Sequence, residues 1–97
     1  MKIVQKNAQL VIPREELNKI SGNKRRRLSV VITDPRSRHM ILTRYPENLK
    51  VWHQTTIQRE TDFIPTVILK KAKISHSKNF SLKHSDGNLI VRRISNG

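Results

Sequence analysis

The segment Leu28-Ser29-Val30-Val31-Ile32-Thr33 constrains the fold of this chain more than any other. It is rich in β-branched residues, and a strand places its apolar residues on both faces. Leu28, Val30 and Ile32 share one face, and Val31 shares the other with Arg27, Ser29 and Thr33. Four consecutive cations, Lys24, Arg25, Arg26 and Arg27, lead into it. Asp34-Pro35-Arg36-Ser37 follows with turn chemistry, because proline pre-sets φ and an aspartate side chain bonds its own downstream backbone. The next stretch reads as a returning strand, with Met40, Leu42 and Arg44 opposed to His39, Ile41, Thr43 and Tyr45. Residues 26–45 are therefore read as a β-hairpin with cations at its base, turn and far end. Both of its faces are partly apolar, which puts it at the centre of a small barrel.

The remaining elements surround that hairpin. Ile3-Val4 and Leu10-Val11-Ile12 flank a polar kink and read as one bent strand or a tight hairpin. Residues 13–20 read as a short helix: Pro13 opens it, Glu15 and Glu16 suit the positive end of its dipole, and Gly22 ends it. Residues 46–60 read as a second helix, with Leu49, Trp52, His53 and Thr56 on one face and Trp52 buried. Residues 63–74 read as a strand, with Pro65 near its start. Phe80 to Lys83 alternates like a strand, Asp86-Gly87 signals a tight turn, and Leu89 to Ile94 closes the sheet. A strand–Pro–helix unit occurs twice in loose form, at Ile12-Pro13 and Tyr45-Pro46, without the identity of a repeat. The expected fold is a single α+β domain over residues 1–97, mostly β, a small barrel-like antiparallel sheet with two short helices.

Charge narrows the partner. Lys and Arg number 20 against 7 Asp and Glu, a formal net charge of +13. An excess of this size implies a polyanion, and nucleic acid is the commonest one. The charge is not spread evenly. Residues 21–44 and residues 63–97 each carry a net +6, whereas residues 13–20 and 45–62, which hold the expected helices, carry 0 and −1. A helix-turn-helix reader would concentrate cations on its recognition helix, so a basic β-surface is the better expectation. Lys24, Arg25, Arg26, Arg27, Arg36, Arg38 and Arg44 are the first set of candidate nucleic-acid contacts. Lys70, Lys71, Lys73, Arg92 and Arg93 form a second patch. The first set, held on a turn, is expected to matter more. Tyr45, Trp52, Phe63 and Phe80 are all the aromatics. With Phe63 and Phe80 assigned to the core and Trp52 read as structural, few rings remain for base stacking, so duplex DNA is preferred over single strands.

Other chemistries find less support. The absence of cysteine excludes a disulfide framework and a thiolate zinc site. His39, His53, His76 and His84 lack metal-ligand spacing, and no cofactor or metal is expected. A small basic endoribonuclease of toxin type stays open, using His39 with Arg38 and Arg44, or His53 with Glu60. An RNA- or ribosome-binding protein and a docker of acidic proteins are further alternatives. The N-terminus is too polar for a signal-peptide core and no apolar run reaches membrane-spanning length, so a cytoplasmic, nucleoid- or virion-associated protein with no membrane partner is expected.

Leu10-Val11-Ile12-Pro13, the short helix with Glu15, Glu16 and Leu17, and the hairpin at residues 28–45 follow in the order of AbrB/MraZ-type bacterial DNA-binding proteins, which residues 3–52 resemble. The resemblance implies an intertwined homodimer whose β-surface docks on DNA as a transcription regulator. Ala8-Gln9 stands where that family usually has Gly-Arg, whose arginine contacts DNA.

Charge-driven binding makes a quantitative prediction. If six to eight cations neutralise phosphates, log K falls with log salt at a slope of roughly −5 to −7 on duplex DNA. A filter-binding series across salt concentrations measures it, and a nearly flat line rules the electrostatic reading out.

Overall fold

The structure, a computed structural model, describes residues 2–6, 9–20, 27–58, 63–64, 66–74 and 79–94. Gly22, Lys24, Arg25, Arg26, Glu60 and His76, on which several expectations fall, lie outside these residues. The fold is mostly β, with an antiparallel sheet and two short helices. The strands are β1 (Lys2–Lys6), β2 (Gln9–Val11), β3 (Arg27–Ile32), β4 (His39–Thr43), β5 (His53–Gln58), β6 (Phe63–Ile64), β7 (Asn79–Ser85) and β8 (Asn88–Arg93). They lie in the order β5-β3-β4-β8-β7-β1-β2-β6. Among the described residues β5 and β6 end that order without pairing, so the sheet is open and only loosely barrel-like. Helix α1 (Arg14–Asn18) follows β2 and helix α2 (Thr66–Lys71) follows β6.

Local chemistry accounts for the turns. The Asp34 carboxylate accepts the Arg36 N–H at 2.8 Å, and the Asp34 carbonyl accepts both the N–H and the hydroxyl of Ser37. Arg38, at φ 56°, then redirects the chain into β4. Between β7 and β8, Asp86 at φ 52° and Gly87 at φ 78° form the two-residue turn whose twist matches paired strands. The first candidate strand is a hairpin rather than a bent strand, with Gln5 opposite Leu10.

Two elements differ from the sequence expectation. Residues 46–60 hold one 3-10 turn, Pro46–Asn48, and then β5 instead of a helix. Leu49, Trp52, His53 and Thr56 happen to match helical spacing. The alternation that wins is that of β5, where Ile57 is buried, Gln54 and Thr56 are exposed, and the unbroken ladder with β3 runs from Arg27↔Gln58 to Ile32↔His53. Residues 63–74 hold the two-residue β6 and then α2 instead of one strand. The run Thr66-Val67-Ile68 has strand propensity, but Ile68, Leu69 and Ala72 are buried while Val67, Lys70 and Lys71 face solvent, which is a helical pattern.

With α2 in place, the repeated strand–Pro–helix unit is not the one at Tyr45-Pro46. It pairs Ile12-Pro13-α1 with Ile64-Pro65-α2. The two short strands are antiparallel neighbours, Leu10↔Ile64 and Val11↔Phe63. Leu17 and Leu69 stand at the same step after their prolines, as do Ile20 and Ala72, and all four are buried. These residues close one hydrophobic core with Leu28, Val30, Ile32, Met40, Leu42, Phe80, Leu82, Leu89 and Val91 of the sheet.

Helix α2 ends in a Schellman motif: the Ile74 N–H bonds the Leu69 carbonyl and the Lys73 N–H bonds the Lys70 carbonyl, each at 3.0 Å. Leu69 and Ile74, the pair that accompanies such a cap, are both buried. Lys73 occupies the left-handed position, φ 61°, where glycine carries no Cβ penalty. Lys73→Gly is expected to stabilise the fold by about 0.5 to 1 kcal/mol, the left-handed relief less the added chain entropy. Thermal melts should show Tm rising by roughly 2 to 6 °C.

Candidate nucleic-acid interface

The face of the sheet opposite the core is set by register. Arg92 of β8 lies between Ser81 of β7 and His39 of β4, and Ser81 lies opposite Lys2 of β1. With strands about 4.8 Å apart, this row of four positions spans roughly 14 Å across the sheet. The next row runs Lys83, Ile90, Ile41, Val31 and Gln54. Lys83 and Arg92 are exposed, and Ile41 and Ile90 are half-buried between them and the hairpin. His39 is the first residue after the turn, so Arg92 meets the root of the segment that carries exposed Arg36 and Arg38.

This arrangement regroups the expected contacts. Arg36, Arg38 and Arg92 come together at one end of the sheet although they were expected in two separate patches. Arg93, opposite the buried Phe80, has the other strand parity and is half-buried away from them. Lys70, Lys71 and Lys73 are exposed but belong to α2 and its cap, which follow the edge strand β6 in the chain, with β7, β1 and β2 between that strand and β8. Arg27 contributes its backbone to β3 opposite Gln58, at the end of the strand away from the turn. Arg44 is a correction: it is 2 % exposed and does not lie on the surface. It shares the strand parity of Met40 and Leu42, which points inward. Lys83 was missed, though the alternation Phe80-Ser81-Leu82-Lys83 puts it on the outer face with Ser81.

Trp52 is the second correction. It is 51 % exposed rather than buried. It sits just before β5, and its N–H donates to the carbonyl of Ile32, the last residue of β3, at 2.9 Å. The β3–β4 turn departs from that same residue. The indole is tilted at 56° to the His53 ring, with centroids 6.2 Å apart. The β-branched, alternating run from His53 to Ile57 is the sequence signal that would have placed Trp52 outside a helix.

Of the residue sets considered for catalysis, the one joining His39 to Arg44 does not assemble. His39 and Arg44 lie at opposite ends of β4, and Glu60, the partner considered for His53, is outside the described residues. Among the described residues no three His, Asp or Glu side chains converge as metal ligands. A cleft of about 240 Å³ lies between Tyr45, Asn48 and Leu49 and the β7–β8 turn at Asp86. That is smaller than usual small-molecule pockets, and its one charged residue repels anions. No helix among the described residues is long and apolar enough to cross a membrane. No protein-family model matches the chain, and neither a curated protein nor a solved structure does so.

The buried acid is structural. Glu16 of α1 is 7 % exposed, and its Oε2 accepts from His84 Nε2 of β7 at 2.5 Å, while Lys19 reaches its Oε1 at 3.4 Å. The His84 hydrogen bond holds the Glu16 carboxyl below the usual carboxylate range; burial opposes this and Lys19 assists. A depressed folded-state pKa contributes stability that is present above the unfolded carboxylate range and is lost as pH falls through the folded value. Glu16→Gln should therefore lower Tm most near neutrality, with the gap to wild type closing as pH falls below the usual carboxylate range. Melts across pH check this, and a gap constant with pH would show that the carboxylate charge is not what joins α1 to β7.

Proposed function

We propose that this chain is a non-enzymatic nucleic-acid-binding module that engages phosphates with the β3–β4 turn and β8. The observation that carries the reading is the register His39↔Arg92, which sets an exposed arginine beside a turn bearing exposed Arg36 and Arg38. Guanidinium groups suit phosphate because their planar fork donates two parallel hydrogen bonds. The net charge of +13 supplies the long-range attraction that brings a polyanion to this face. The AbrB/MraZ resemblance favours duplex DNA and a role in transcription. A preference for duplex over single strands needs few rings free to stack on bases, and the exposure of Trp52 weakens it.

The direct test incubates the protein with labelled duplex DNA, single-stranded DNA and RNA and scores retention and cleavage together. Retention without cleavage is expected; cleavage by the purified protein would move the reading to the endoribonuclease class. The site is tested by comparing Arg36→Ala/Arg38→Ala/Arg92→Ala with Lys70→Ala/Lys71→Ala/Lys73→Ala at fixed salt. The arginine triple should weaken binding more and reduce the salt slope by roughly 2 to 3, as expected for about one phosphate per cation. Both triples should fold, because exposed charges contribute little to stability. Equal losses would mean that the charge acts as a diffuse field, and a larger loss from the lysine triple would move the interface to α2.

A further inference from the structure

We infer that Trp52 is a base-stacking platform, on which an unpaired nucleobase of a bound single strand lies while the adjoining phosphates sit on Arg36 and Arg38. This rests on the nucleic-acid-binding reading and specifies the form of nucleic acid. The argument begins with exposure. Trp52 is the largest side chain the sequence holds, yet half of its surface is in water, and Val51 beside it is 43 % exposed. A ring left in solvent forgoes the burial that usually accompanies indole.

Position gives the exposure a meaning. The backbone bond from Trp52 to Ile32 fixes the residue at the root of the β3–β4 turn. The turn is itself ordered by the Asp34 carboxylate, which is occupied by the Arg36 N–H. Arg36, Arg38 and Lys50 are exposed around this end of the sheet. The tilted contact with His53 orients the indole without covering it. An apolar ring among cations matches one common ligand chemistry: a flat aromatic group carried on an anionic backbone.

Complementarity then selects the occupant. A second copy of this chain would bring another +13 against the same cations. A duplex keeps its base faces inside its own stack, whereas a single strand, a loop or a frayed end presents them. RNA and single-stranded DNA share this chemistry, and the arms of the test separate them.

Trp52 is the one tryptophan of the chain, so intrinsic fluorescence reports on it directly. The protein is titrated with a single-stranded DNA oligonucleotide, its RNA counterpart, the matched duplex, and a strand of the same length in which the bases are replaced by abasic sites. Base-bearing single strands should quench the fluorescence, and the abasic strand should bind through its phosphates with little quenching. Trp52→Ala should weaken binding of the base-bearing strand by roughly 5- to 150-fold, the range for one stacked base, and leave abasic-strand binding nearly unchanged. Trp52→Phe should retain most of the affinity and serves as the second variant should the alanine substitution disturb folding. Equal quenching by base-bearing and abasic strands, or wild-type affinity of Trp52→Ala for the base-bearing strand, overturns the stacking role and leaves phosphate binding intact. Failure of the wild-type protein to retain any of the four ligands at low salt overturns both readings.

Discussion

Strand β3 is buried on both faces, and a strand in that position must find a hydrogen-bonding partner along each edge. Leu28, Val30 and Ile32 lie in the core and Val31, on the opposite parity, is equally inaccessible. Each backbone N–H or carbonyl left unpaired in such a place costs about 1 to 3 kcal/mol. The tight turn after Ile32 supplies β4 on one edge. The other edge is filled by β5, whose ladder with β3 covers every residue of both strands. That demand reaches well beyond the two strands. The chain leaves β4 beside the start of β3 and must enter β5 beside its end, so residues 44–52 run back along the length of the sheet. Trp52 is the last residue of that return, pinned to Ile32 and left at the surface. The exposed ring is therefore a consequence of how β3 is paired.

The two proline-led helices solve a second problem, covering the open end of the core with very little chain. Each is far too short to be stable alone and depends on the apolar residues it buries. Leu17 and Leu69, then Ile20 and Ala72, occupy matching steps. The units diverge where Glu16 of α1 stands at the step taken by Ile68 of α2. A carboxylate buried there needs a partner, and His84 provides it from β7. The same structural slot is thus filled once by an apolar contact and once by a hydrogen bond that ties α1 to the sheet.

What could be read from residues alone follows from how local each signal is. Both tight hairpins and α1 were legible because Asp34-Pro35, Asp86-Gly87 and Pro13 with Glu15 and Glu16 fix backbone geometry within a few residues. Segments 53–58 and 66–71 were not legible because short β-branched runs suit either state and distant packing decides between them. The first pairs with β3 across the intervening hairpin, and the second repeats the burial of α1. The candidate interface was legible at its turn, where Arg36 and Arg38 had to be exposed. Its other half was not, since only register brings Arg92 to His39. Arg44 misled for a related reason: it lies just beyond β4, where strand parity rather than charge determines whether a side chain faces in or out.

Two features at that end of the sheet run against stability. Arg38 adopts a left-handed backbone, φ 56°, in which a residue with a Cβ is disfavoured by roughly 1 to 2 kcal/mol, and its side chain is exposed, so packing does not offset the strain. Trp52, on the other side of Ile32, leaves half of an indole in water. Glycine or asparagine would suit the first position better, and a polar residue the second. Local choices that oppose the fold tend to mark sites held for another purpose, and the inference runs from the observed outlier to the function. Here both departures lie at the end of the sheet that carries the β3–β4 turn, one closing the turn and the other bonded to its root. A ligand combining negative charge with flat aromatic groups engages both, which is why the strain and the exposure are better explained together than apart.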